Sequence, residues 1–543
     1  MIESFDIKKN HVYIGNSDKA PEWVGLKQEE PTDEHRNNLI AHIREKIKNY
    51  LQLDNVSFLF GTGSSIHLGA AGIQNIPSQV EKDIVSSDKD ELKEDFKKYV
   101  IALQKPMLDK YHPKENEKFQ DERGWNLVFD GTFIRNYEEE IVKDKDADKK
   151  VEGENERIDE SLEKMEDIPG EMMENLLDET IKDIQKENPK DDVQDEDVSK
   201  HYGEILLQFE LLLNYLTAML FQKEAEKDDD ESKRVQDLIT ALKKSLFAIC
   251  DVHDRETSEK DLKRIRAKGL EEEFKRNKYL FHEKFLKSLM QRPLNLQRAN
   301  IFTSNYDLAF EYAFDNLGVK YIDGFSGFHH RYFKPETFNY DIFYPGSTTA
   351  GKVQRIEKVV RYFKLHGSIS WINDNQHTPS NIYGIEEMPI ELIKMKAKED
   401  NDSLYGNLMI YPTAVKKSYT LDLPYSELFR HFAHCISQPQ SVLFTIGYSF
   451  YDEHFNDIIY QALSNPTFTL VIIDFNGCGK SAEIKRLKDL NDPRIIIIEG
   501  HYLGDFLTLA NTLMPDFMDT SSEDKVTKTL NNLLNNKTEN DGK

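Results

Sequence analysis

Four short stretches of this chain place small, amide or ionisable residues directly after apolar runs. The first is Gly61-Thr62-Gly63-Ser64-Ser65, which follows NVSFLF. Glycines at such a point let the backbone turn tightly and approach a pyrophosphate, with amides and hydroxyls donating to its oxygens. The loop lacks the third glycine of a GxGxxG fingerprint, and the same residues would also serve as a plain turn. The second stretch, Thr303-Ser304-Asn305-Tyr306-Asp307, overlaps the end of IFTSN and offers a carboxamide and a carboxylate to one cleft. The third, Leu365-His366-Gly367-Ser368, ends YFKLHG. An imidazole has a reference pKa near neutrality and suits proton transfer, although a lone histidine in such a place is more often structural. The fourth, Gly447-Tyr448-Ser449, follows VLFTI, and beyond it Asp474 closes LVIID, where an acidic residue can hold a ribose hydroxyl.

These loops need strands to carry them. The runs at 55–60, 300–305, 359–367, 441–449, 468–474 and 494–500 are largely unbroken β-branched or aromatic segments. Such runs suit strands covered on both faces, as in a parallel sheet between helices. Helical patterns follow them in DLAFEYAFDNLG and DEHFNDIIYQAL, and one precedes the first at Leu39, Ile43, Ile47 and Leu51. Strand, loop and helix in repetition predict an α/β fold, a doubly wound, Rossmann-like parallel sheet. From 80 to 294 no strand is expected, only amphipathic helices. The expected organisation is an N-terminal extension (1–34), a discontinuous sheet domain (35–80 and 298–515), an inserted helical domain (81–297) and a polar C-terminal tail (516–543).

Composition excludes several classes of function. The 543 residues carry 71 basic and 97 acidic side chains, a net charge of −26. Residues 138–200 alone hold 25 acidic against 10 basic residues, a composition that fits a solvated, partly disordered spacer. A chain charged this way repels nucleic-acid backbones, so no direct nucleic-acid binding is expected. The greasiest stretch, 209–221, is too short to span a bilayer and is broken by Glu210 and Asn214, so no membrane association is expected. The opening MIESFDIKKNHVYIG shows no apolar run behind a basic cluster, and no secretory signal is expected. Cys250, Cys435 and Cys478 lie far apart, which fits a reducing, cytoplasmic setting and no cysteine-rich zinc site.

In this order, GTGSS, TSNYD, LHGS and GYS resemble the motifs of the sirtuin family, and more closely its bacterial antiviral-defence branch. The resemblance covers about 35–80 and 298–505. Sirtuin deacetylases carry a four-cysteine zinc module between the histidine and the last turn. Here only Cys435 falls in that interval, so no metal is expected and acyl-lysine substrates are in doubt. Ser304 and Tyr306 also depart from the deacetylase pattern.

The resemblance implies that NAD is bound as a substrate and hydrolysed to ADP-ribose and nicotinamide, depleting the cell's NAD during phage infection. It implies Asn305 and His366 as catalytic residues. Gly61, Thr62, Gly63, Ser64 and Ser65 would hold the pyrophosphate, Thr303 and Tyr306 would also bind the cofactor, and Asp307 would orient the nicotinamide side or brace the loop. Gly447, Tyr448, Ser449 and Asp474 would take the adenosine side. It further implies a homo-oligomer and a companion defence protein, either a HerA-type ring ATPase or a nucleotide-sensing partner. Two other readings stay open: an NAD-dependent protein deacylase, and a non-catalytic NAD or ADP-ribose sensor. FNGCGKS (475–481) lacks the first glycine of a Walker A loop. His431, His434 and Cys435 are expected to be ordinary helix positions, Trp371 a core anchor, and His329 and His330 a loop beside the pocket.

Overall fold

The computed structural model describes residues 9–24, 33–72, 76–96, 98–100, 209–344, 355–373, 378–399 and 424–515. The acidic span 138–200 and the tail 516–543 lie outside the described residues. Among the described residues, thirteen strands form two sheets. In chain order they are β1 (His11–Ile14), β2 (Ser17–Asp18), β3 (Asn55–Phe60), β4 (Asn300–Thr303), β5 (Lys320–Ile322), β6 (Phe325–Ser326), β7 (Arg331–Phe333), β8 (Val359–Lys364), β9 (Trp371–Asn373), β10 (Ile385–Glu387), β11 (Ser441–Ile446), β12 (Thr469–Asp474) and β13 (Ile495–Glu499).

The large sheet is nine-stranded, ordered β2-β1-β13-β12-β11-β3-β4-β8-β5. From β13 through β5 every pairing is parallel. The unbroken apolar runs serve two faces, as their composition predicts. On one face Phe58, Phe60, Ile301, Tyr362, Phe444, Val471 and Ile498 share a core. On the other, Leu59, Phe302, Phe363, Leu443, Leu470 and Ile497 share a second. Alternate residues of each strand therefore divide between the two cores, and the sheet is an α/β, Rossmann-like layer.

The strand order places β3 centrally. From it the chain proceeds to β4 on one side, while β11 continues to β12 on the other. The crevice between β3 and β11 is therefore the topological switch point, where open α/β sheets bind ligands beyond their carboxyl ends.

Two domain boundaries shift from the expectation. The N-terminal extension is part of the sheet: β1 pairs antiparallel with β13, Val12 opposite Ile498, and covers that edge. The last helix of the span 81–297, Leu280–Leu289, belongs to the sheet's own core, because Phe281, Phe285 and Leu289 recur at helical spacing. The Phe285 ring meets Phe58 edge-on at 5.1 Å. Earlier helices, including Phe209–Glu226 and Asp229–Cys250, build a third core with Ile369, Ile372, Ile390 and Ile393. That core lies directly behind the loop that follows His366. The small antiparallel sheet β6-β7-β10-β9 was not expected; strands of two or three residues carry too short a pattern to announce themselves.

Candidate active site

At the switch point the loop after β3 lies on the loop after β11. Gly61 donates its amide to Ile446 O (3.0 Å), and Gly63 donates to Gly447 O (3.0 Å). The contact is backbone on backbone. A Cβ at Gly63 would sit 2.6 Å from Gly447 Cα, and one at Gly61 would sit 2.5 Å from Gly447 O. Gly447 itself has φ +60, a left-handed conformation that favours glycine. These glycines thus serve first to let two loops touch. The expected role of the amides is corrected as well: Ser64 N bonds Gly61 O (3.0 Å) and Ser65 N bonds Thr62 O (2.9 Å). Four amides of the loop are committed within the protein. Thr62 and Gly63 are its half-buried residues, whereas Gly61, Ser64 and Ser65 are buried.

The two serines face Asn305 instead. Its Nδ2 donates to Gly61 O (3.1 Å), with Ser65 Oγ at 3.3 Å and Ser64 Oγ at 3.4 Å. A carbonyl can only accept, so the nitrogen must point to Gly61 and the amide orientation is fixed. Asn305 Oδ1 is then buried without a hydrogen-bond partner. Thr303 supports this loop, accepting the Asn305 amide at 3.0 Å while its Oγ1 donates to Phe60 O at 3.2 Å.

On the adjoining strand end, Leu365 N donates to Thr303 O (2.8 Å), which ties the histidine loop to the asparagine loop. His366 is 5% exposed. Its Nε2 lies 3.8 Å from Asp452 Oδ2, and its ring meets Phe455 at 5.2 Å and Tyr306 at 6.4 Å. Asp452 was not anticipated; it lies three residues past Ser449 and precedes the helix Glu453–Leu463.

Lys364 also went unnoticed, since nothing in YFKLHG distinguishes it from an ordinary strand lysine. It is 4% exposed. Its Nζ donates to the carbonyls of Tyr306 (3.3 Å) and Asp307, and to Glu311 Oε1 at 3.0 Å. Tyr362 donates its hydroxyl to Glu311 Oε2 at 3.0 Å. Burial raises the carboxyls of Asp307 and Glu311 above their usual range, against the pull of Lys364. Asp307 Oδ1 accepts from Ala309 N (3.0 Å) at the start of the helix Ala309–Leu317, so this carboxylate braces the loop.

The remaining candidates divide. Tyr448 is core, not a ligand-facing residue: it is 7% exposed among Phe450 and Phe455, and its hydroxyl donates to Asp452 O at 3.4 Å. Ser449 is exposed, and its carbonyl accepts from Ser481 at 3.4 Å. Asp474 is half-buried at the end of β12; burial raises its carboxyl, and its Oδ2 has no hydrogen-bond partner. His330 is exposed in the small sheet and bonds Glu386 Oε1 at 2.7 Å, and His329 is exposed beside it. His431 and Cys435 face the core while His434 faces outward, and Trp371 is 3% exposed in the second core.

A histidine pair lies beneath the glycine loop. His67 stacks on His282 at 5.5 Å, ringed by Phe281 and Phe506. His67 Nε2 and both His282 nitrogens are buried without hydrogen-bond partners. Burial holds His67 well below the usual imidazole range and His282 down to about 3, so both rings are neutral.

Residues 299–488 match the family model described as the SIR2-like domain. The matched span contains Asn305, Lys364, His366, Gly447, Asp452 and Asp474, and leaves out the loop at 61–65. The match is one of similarity over that span, and it supports a likeness to NAD-related enzymes of the sirtuin kind. No curated protein matches the chain. Among the described residues, no helix is long and apolar enough to cross a membrane.

Proposed function

We propose that this chain hydrolyses NAD to ADP-ribose and nicotinamide, and that it acts as an NAD-depleting effector in bacterial anti-phage defence. The observation that carries the reading is Asn305: its nitrogen is fixed by three acceptors, and its buried oxygen is left to accept from a ribose hydroxyl or a water. An orphaned buried acceptor is costly unless a ligand completes it.

Nicotinamide leaves NAD as a neutral base, so cleavage of its bond to the ribose needs no strong acid; positive character develops on the ribose carbon. The site must hold the ribose, exclude bulk water and place one nucleophile. Asn305 Oδ1 orients that nucleophile or the ribose. His366 accepts the proton that the attacking water releases, and the Asp452 carboxylate, 3.8 Å from Nε2, steadies the imidazolium. Thr62 and Gly63 form the half-buried part of the loop toward the pyrophosphate. Asp474 Oδ2 accepts from a hydroxyl at the adenosine end. A homo-oligomer regulated by a companion defence protein completes the proposal.

The test is incubation of the purified full-length chain with NAD, with and without an acetyl-lysine peptide, followed by identification of products. Release of nicotinamide and ADP-ribose without peptide, reduced at least ~100-fold in Asn305→Ala and in His366→Ala, is expected. Release that requires the peptide would replace this reading with a deacylase. Tight NAD binding with no turnover, alone or with the companion protein, would replace it with a sensor.

A further inference from the structure

Lys364 closes β8 two residues before His366, and its side chain is buried. Lysine is rarely buried this far unless its charge is paired and each of its three donors finds an acceptor. Here Nζ donates to the Tyr306 carbonyl (3.3 Å), the Asp307 carbonyl and Glu311 Oε1 (3.0 Å). Glu311 supplies the counter-charge from the first turn of the helix Ala309–Leu317, and the Tyr362 hydroxyl steadies its second oxygen at 3.0 Å. One carboxylate is enough to neutralise the ammonium. The two carbonyls serve a different purpose.

They belong to the two residues that follow Asn305. The Asn305 amide is fixed by Thr303 Oγ1 (3.0 Å) and its side chain by Gly61 O (3.1 Å), so Lys364 holds the chain on the remaining side. The Tyr306 carbonyl accepts a second bond, from Ile369 N at 3.2 Å. Ile369 lies three residues after His366. One oxygen beside Asn305 is thus grasped from both flanks of the histidine turn. Leu365 N, donating to Thr303 O at 2.8 Å, adds a third tie between the two loops. Tyr306 and Ile369 also pack on the third core, so neither loop shifts without disturbing the other.

On the reading of NAD hydrolysis given above, we infer that Lys364 is a positioning residue: without touching NAD, it sets the placement of Asn305 relative to His366 and so governs the rate of the chemical step. Its bonds end on main chain and on Glu311, which leaves no donor for a ligand. Charge-assisted bonds in a water-poor interior hold geometry more firmly than neutral ones. A misplacement of about 1 Å between groups that act together can cost about a hundredfold in rate. The contacts assigned to the pyrophosphate and adenosine ends, at the glycine loop and Asp474, do not pass through Lys364. Its loss therefore falls on kcat and spares KM.

Steady-state kinetics of nicotinamide release from NAD by the full-length chain tests it. The double variant Lys364→Met/Glu311→Gln removes the ammonium together with its counter-charge, so no buried charge is stranded. Its kcat is expected to fall about tenfold to a hundredfold, with KM within about threefold of the parent. The milder pair Lys364→Gln/Glu311→Gln keeps a donor near the carbonyls; it is expected to lose less, and it carries the same test should the first pair not fold. Tyr362→Phe removes a buried bond to Glu311 but leaves both carbonyls held, and is expected to keep kcat within about twofold. Parent-like kcat in a folded double variant, a loss confined to KM, or an equal fall of kcat in Tyr362→Phe would overturn the inference. A parent chain that cleaves no NAD, alone or with its companion protein, would overturn the reading of NAD hydrolysis and this inference with it.

Discussion

Around Gly61, Gly63 and Gly447 the site is held by the absence of side chains, whereas around Lys364 it is held by buried charge. In the first region two loops touch through main chain alone, and any added carbon meets backbone that cannot move aside. In the second, one ammonium gathers two carbonyls and a carboxylate from the neighbouring strand's loop and helix. The first is a steric fit that tolerates no addition; the second is an electrostatic balance that tolerates no removal. Asn305 bridges them, with its nitrogen on the glycine loop and its chain position between Thr303 and the carbonyls that Lys364 holds.

Each half should fail in its own way. The largest effect is expected from Gly63→Val, whose side chain would enter the space of Gly447 Cα. A loss above about 4 kcal/mol in denaturant unfolding, or failure to fold, is expected. A stability close to that of the parent would show that the two loops can separate freely. Next comes Lys364→Met, which takes the ammonium away from Glu311 Oε1 and from the Tyr306 and Asp307 carbonyls. About 3 kcal/mol should be lost, because breaking a buried pair strands its partner. Adding Glu311→Gln should recover part of that loss, and strict additivity of the two changes would deny the coupling.

The smallest effects, and the sharpest contrast, lie in pH. Burial pushes the Glu387 carboxyl of β10 up to about 8, with the Asp323 carboxyl adding to the shift. The folded chain keeps a proton there that the unfolded chain releases above 4.5. Stability from this group is therefore lost as pH rises from about 4.5 to 8, and Glu387→Gln should flatten that stretch of a Tm-against-pH curve. Below the glycine loop the sign reverses. Neutral His282 lacks the proton that an unfolded histidine takes up below 6.5, so its contribution is lost as pH falls from 6.5 toward 3. His282→Phe should flatten the acid side and leave the alkaline side alone. Slopes that both variants leave unchanged would assign the pH dependence elsewhere.

Much of the frame was legible because local pattern and global position agree in it. Runs such as SVLFTI and IIII could only be strands buried on both faces, and the motifs at their ends reach one switch point. What escaped notice was set by contacts between distant residues. Nothing near Gly63 announces that Gly447 will occupy the space of its missing side chain. Lys364 reads as any strand lysine until Tyr306, Asp307 and Glu311 fold against it. Tyr448 resembles a ligand-facing hydroxyl in sequence, yet its ring is large enough that the aromatic core claims it. The helix Leu280–Leu289 showed its apolar stripe, but a stripe does not say which of three cores will receive it.

The central position of β3 also governs how the chain can assemble. A bond from Asn300 to Ser57 spans 243 residues, and one from Asn55 to Pro439 spans 384. As the polypeptide leaves the ribosome, NVSFLF emerges long before either flanking strand exists. The sheet cannot close around its middle until most of the translation is complete, so an apolar, unpaired segment waits in the nascent chain. A chain that stops before β11 would leave β3 paired with β4 alone, its other edge open to any strand that meets it.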